Sequence, residues 1–155
     1  MMRDIKNYKI HEIESVLKLC EHNLKAALQI YEHQLNVLQT RAQVLMGLAG
    51  VVLSITGFSG HRIASTGRIA QFSVILGLGT VLISAVWVWK KVMNVRWITD
   101  DLYGTSEEIL SRIIDRRNAK TAAYVKGGYL LCAGFSIYSV AFAMMLLFFD
   151  AVSAN

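Results

Sequence analysis

The chain has 155 residues, 54% hydrophobic and only 17% charged, with a net charge of +5 and no proline. A soluble domain carries about a quarter of its residues charged, so a soluble enzyme of ordinary composition is disfavoured. Acids such as Glu12, Glu21, Glu107 and Asp115 are spread among the bases, which sets aside a nucleic-acid surface, since that would need a basic patch with aromatic interleaving.

In chain order, the first feature is an apolar stripe at Ile13, Leu17, Cys20, Leu24, Leu28, Tyr31, Leu35, Leu38, Ala42 and Met46. Its mean step is about 3.67 residues, the eleven-residue period that keeps a stripe on one side of a nearly straight helix. The pattern predicts one continuous helix from about residue 8 to residue 58, with Glu14–Lys18 and Glu21–Lys25 as i,i+4 pairs on its wet side. His11, His22 and His33 also recur at eleven. They would share a line opposite the stripe, about 16 Å apart along the axis, too far for one chain to close a metal site. They read as a solvated face.

Three windows carry no charge: 42–60, 69–89 and 127–149, of nineteen, twenty-one and twenty-three residues. A crossing of the hydrocarbon core needs roughly 20 apolar residues, so all three are predicted transmembrane helices. The first follows some forty mostly polar residues and does not read as a cleaved signal peptide. Lys and Arg number six in 1–41, eight in 90–126, two in 61–68 and none after 149. That bias puts the N-terminus and 90–126 in the cytoplasm and the C-terminus outside. Trp87, Trp89, Lys90 and Lys91 fit an interfacial belt.

The second span is expected to run on through Val92, Val95 and Ile98 to about Tyr103, where Gly104 ends it. Thr105 and Glu108 then form a capping box. The helix they open is expected to reach about residue 150, with Ile109, Ile113 and Ala119 or Ala122 inward. The expected architecture is one domain, 1–155. It is an all-α membrane protein with cytoplasmic helix 8–41, spans 42–60, 69–89 and 127–149, and a cytoplasmic helical hairpin 90–126. The cytoplasmic extensions would form a three-rod stalk.

No CxxC, HExxH or phosphate-binding glycine loop is present, and "GLGT" at 77–80 lies inside an apolar span. No catalytic residue, metal set or cofactor is expected. The spans hold no Asp, Glu, Lys, Arg or His, which argues against a proton relay or coupled transporter. Cys20 and Cys132 read as reduced, small apolar residues. The spans do carry small-residue stripes: Gly47, Gly50, Ser54 and Gly57; Ser73, Gly77, Thr80 and Ser84; Cys132, Ser136, Ser139 and Ala143. Such faces let helices associate closely in lipid, either within one chain or against a neighbour or pore. Three helices are too few to enclose a channel, so any pore would be oligomeric. Gln43 and Gln71, near opposite membrane faces, could line such a path or sit as satisfied interfacial residues. Arg112, Arg116, Arg117 and Lys120 form a dense basic cluster, expected to contact anionic lipid at the membrane surface or to act as a topology signal, with contact to a small ligand as the other reading.

A cytoplasmic helix running into "LQTRAQVLMGLAGVVLSITG", a short hairpin, a second span, and "RIIDRRNAKTAAYVKGG" leading to a third resemble the SLATT and Pycsar-type membrane modules of bacterial antiviral systems. The resemblance covers about residues 30–149. It implies an inner-membrane protein that oligomerises and breaches the membrane when a sensor fires. The chain departs from that pattern in having no recognisable nucleotide-binding domain, so a signal would come through a partner or bind the stalk. The leading expectation is a homo-oligomer in the lipid bilayer that forms or gates a pore. The rival is a non-conducting accessory subunit of a larger membrane complex. No nucleic-acid partner is expected under either.

Overall fold

The computed structural model describes residues 2–64, 67–94 and 102–153. These residues form four helices and no strand: α1 (Met2–Leu19), α2 (Leu24–Ala64), α3 (Arg68–Lys91) and α4 (Ser106–Ser153). Helices α2, α3 and α4 are each long and apolar enough to cross a membrane. Large apolar side chains project from all three, including Phe58 at 92% exposure, Phe72 at 72% and Leu147 at 76%. Exposure on that scale is unfavourable in water and costs nothing against acyl chains.

The three long helices pack with α3 antiparallel to α2 and α4. Along α3 the buried positions are Ala70, Val74, Gly77, Val81, Ser84 and Val88, an alternation of four- and three-residue steps. This is the seven-residue repeat of a helix pair wound gently about a common seam. On α4 the facing small residues are Gly127, Gly134 and Ala141, again seven apart. Helix α2 lies against both, through Leu38, Ala42 and Leu45 at one level and Ala49 and Val52 at the next.

The continuous helix expected from 8 to 58 is broken. Helix α1 stops at Leu19, and Glu21 and His22 adopt left-handed φ values of 51° and 58°. The turn closes with His22 N–H donating to the Leu17 carbonyl at 2.8 Å and Glu21 N–H to that of Lys18 at 3.3 Å. The Asn23 side-chain oxygen then accepts from the Lys25 and Ala26 amides at 3.0 and 3.3 Å, which caps α2. The chain therefore doubles back, and α1 runs antiparallel to α2 and α4. The Glu21–Lys25 helix pair and the common histidine line do not form, because residues 21 and 22 stand in the turn.

Two non-glycine residues in the left-handed region cost about 1–2 kcal/mol each. Folding back buries Ile13 and Leu17 against Ala27, Tyr31, Ile109, Leu110, Ile113 and Ile114. A fully buried aliphatic side chain contributes about 1.5–3 kcal/mol, and several here are covered on both partners, so burial outweighs the turn. The stripe survives with a different geometry: its residues face a hairpin core rather than one side of a rod.

Helix α3 also stops early, at Lys91 rather than near Tyr103. Val92 N–H still donates to the Val88 carbonyl at 2.8 Å. The Lys120 ammonium donates to the carbonyls of Val92 at 2.8 Å and Asn94 at 3.1 Å, satisfying acceptors at the helix end. Val95 and Ile98 lie outside the described residues. Residues 102–105 are not helical, and α4 begins at Ser106; the rest of the expected first leg of the 90–126 hairpin, 95–101, lies outside the described residues. Among the described residues, the rod that packs beside α2 and α4 in the polar half is α1.

The capping box forms as expected, with Glu108 N–H donating to Thr105 Oγ1 at 3.4 Å and Thr105 N–H to Glu108 Oε2 at 3.2 Å. Gly104 takes a positive φ of 95° in the non-helical approach to this cap and ends no helix. Helix α4 continues unbroken to Ser153. Ile109 and Ile113 point inward with Leu110 and Ile114, whereas Ala119 and Ala122 are exposed and Ala123 is buried instead.

Candidate functional site

Two kinds of feature stand out: small-residue faces in the apolar half, and a basic cluster where the polar half begins. The α3 stripe is consumed inside the chain. A Cβ added at Gly77 would lie 2.8 Å from the Tyr138 amide nitrogen and 2.9 Å from the Gly134 carbonyl oxygen. One added at Gly134 would lie 2.9 Å from the Gly77 oxygen and from the Val81 nitrogen. The two backbones meet only because neither residue has a side chain. Seven residues on, buried Ser84 donates to the Gly127 carbonyl at 2.7 Å. Ser73 and Thr80 are half-buried beside the seam, Thr80 donating to its own helix at the Leu76 carbonyl, 2.8 Å away.

The α2 stripe has the opposite fate. Positions 47, 50 and 57 have nothing within 4 Å of where a Cβ would stand. Ser54 is exposed and donates to the Gly50 carbonyl at 3.0 Å. On α4, Cys132, Ser136, Ser139 and Ala143 are also exposed. Ser136 and Ser139 donate to the Cys132 and Phe135 carbonyls, both at 2.9 Å. Gln43 and Gln71 are likewise exposed. The α4 residues that do pack on α3 lie off the stripe of three- and four-residue steps. Their signal was the seven-residue spacing of Gly127, Gly134 and Ala141.

The basic cluster divides. Arg117 turns toward α1 and α2: it donates to both Glu12 carboxylate oxygens, at 2.6 and 3.1 Å, and to Gln34 Oε1 at 3.1 Å. Beneath it, the Tyr31 hydroxyl donates to Glu12 Oε1 at 3.4 Å. Burial first, and the Glu12 charge second, push that hydroxyl up to about 12. A second ion pair, Lys9 to Asp115 at 2.5 Å, holds the same helix. Arg112 lies over the Tyr103 ring at 3.9 Å and donates to the Tyr103 carbonyl, bracing the segment before α4. These two arginines serve the fold. Arg116 and Lys120 instead border a cleft that also takes in Lys90 and Lys91.

Among the described residues, no three His, Cys, Asp or Glu side chains converge as a metal-holding group. Compared with protein-family models, curated proteins and solved structures, the chain matches none. Fold and surface together define its class as an all-helical protein with three helices able to cross a membrane.

Proposed function

We propose that the protein is a homo-oligomer of the bacterial inner membrane that forms or gates a pore. Its polar half would be in the cytoplasm and its C-terminus outside. The observation that carries this reading is the open α2 face: Gly47, Gly50 and Gly57 meet nothing within 4 Å among the described residues. In lipid, glycines bring no hydrophobic advantage and leave a helix free to approach another closely. A second small-residue face, on α4, offers a partner surface from another copy. Contact between unlike faces propagates around a ring, which three helices of one chain cannot make. The fourteen Lys and Arg in 1–41 and 90–126, against two in 61–68, support the orientation. The likeness to antiviral membrane modules supports a membrane-disrupting role.

A specific observation favours a second reading. The hydroxyls of Ser54, Thr80, Ser136 and Ser139 are all satisfied by carbonyls of their own helices, so they need no water path. That suits an accessory subunit whose open faces pack against a larger complex. Mass photometry of detergent-extracted protein separates the two, with a closed ring expected. A membrane-potential dye in expressing cells should report depolarisation that Gly50→Leu or Ser54→Leu abolishes. A monomer that co-purifies with a larger assembly, or leakage unchanged by both substitutions, would overturn the pore.

A further inference from the structure

The turn between α1 and α2 carries two features that pull in opposite directions. Glu21 and His22 hold left-handed φ values of 51° and 58°, although neither is glycine, the residue that adopts this conformation without a Cβ penalty. Both side chains are exposed, so burial of their own does not hold them there. The apolar stripe, meanwhile, passes through the turn in phase: Leu17, Cys20, Leu24 and Leu28 follow at steps of three, four and four. A connection that served only as a hairpin would need neither the phase nor the strain.

What holds α1 down is its contact with α2 and α4. Ile13 and Leu17 are buried there, Glu12 pairs with Arg117, and Lys9 pairs with Asp115. If those contacts are given up, residues 20–23 are free to take helical φ. That relieves the two left-handed residues, extends the backbone hydrogen-bond ladder through the turn, and adds Glu21–Lys25 as an i,i+4 pair. Leu17 and Cys20 then continue the line of Leu24 and Leu28. The lost burial of Ile13 and Leu17 makes this straight form the minor one.

We propose that the α1–α2 turn is a two-state hinge. In the ground state α1 folds back as a strap across the polar ends of α2 and α4. In the minor state residues 8–58 form one helix and the strap is released. The two states share their helix faces and differ in backbone conformation at the turn. The hinge operates whether or not the protein conducts.

The test is double electron–electron resonance on the full chain in lipid nanodiscs, with spin labels at Glu14→Cys and Ala119→Cys in a Cys20→Ala/Cys132→Ala background. Folded back, α1 holds residue 14 beside α4. Arg117 meets Gln34, so residue 119 lies near the level of residue 35. Straightening would carry residue 14 about 21 residues beyond that level, roughly 30 Å along the axis. The wild type should give a dominant short distance. Ile13→Ser, and more so Ile13→Ser/Leu17→Ser, loses burial only in the hairpin and should raise a narrow long-distance population about tenfold. Adding Glu21→Gly and His22→Gly should lower that population about fivefold or more, because glycine relieves the left-handed turn and penalises the helix. Should the serine variants misfold, Glu12→Gln, which breaks the pair with Arg117, takes their place. A broad long-distance population would mean that α1 detaches without straightening and would overturn the hinge. So would the short distance alone in every variant, or a long population indifferent to the two glycines.

Discussion

Helices α2 and α3 carry small-residue stripes of the same kind, at the same three- and four-residue spacing. On α3, Gly77 lies so close to α4 that an added Cβ would meet backbone at 2.8 Å. On α2, Gly47, Gly50 and Gly57 face open space. The difference lies in what the opposite helix presents. Gly127, Gly134 and Ala141 on α4 recur every seven residues and match the seven-residue repeat of α3. The α2 stripe meets no such complement among the described residues, because α2 turns its Leu38, Ala42, Leu45, Ala49 and Val52 side toward the other two helices. A run of small residues thus announces that a helix can be approached closely, and only the partner's register decides by what.

The sharpest way to break this contrast is Gly134→Leu, which forces a side chain into the Gly77 and Val81 backbone. It should cost about 3 kcal/mol or more, measured by unfolding in mixed detergent and sodium dodecyl sulfate micelles. An effect no larger than that of Gly50→Leu would remove the seam from the account. Next comes Arg117→Ala in the polar half. It strands Glu12, whose side chain is only 17% exposed. The cost should be about 2 kcal/mol, below the 3–5 of a fully buried pair. It should appear as local release of α1, with faster proteolysis after Glu21 in the turn.

Ser84→Ala removes the 2.7 Å bond to the Gly127 carbonyl. It should cost about 1 kcal/mol in the same unfolding assay. Smallest of all, Gly50→Leu should leave protomer stability within about 0.5 kcal/mol while disrupting assembly if the α2 face joins copies. A larger loss of protomer stability would mean that this face is occupied within the chain.

Much of the apolar half was legible from residue order. The three uncharged stretches fall within α2, α3 and α4, and the Thr105–Glu108 box stands where its residues implied. The polar half was less legible. Nothing between Tyr8 and Met46 is glycine or proline, so the periodicity gave no hint of a break. The turn at Glu21 and His22 exists because Ile13 and Leu17 find a better burial against Leu110, Ile113 and Ile114 than a straight rod would allow. Asn23 was the one local signal, a side chain suited to cap a helix start.

The basic cluster shows the same limit. Arg112, Arg116, Arg117 and Lys120 look alike in order along the chain. The fold assigns Arg117 to Glu12 and Arg112 to Tyr103, and brings Lys90 and Lys91 to the other two across more than twenty residues. By itself the sequence determined that this is a helical chain with three lipid-compatible segments, because charge and hydropathy are properties of each stretch alone. Which small faces close, where α1 lies and which cations gather were decided only by tertiary structure, because each depends on the register between segments distant in the chain.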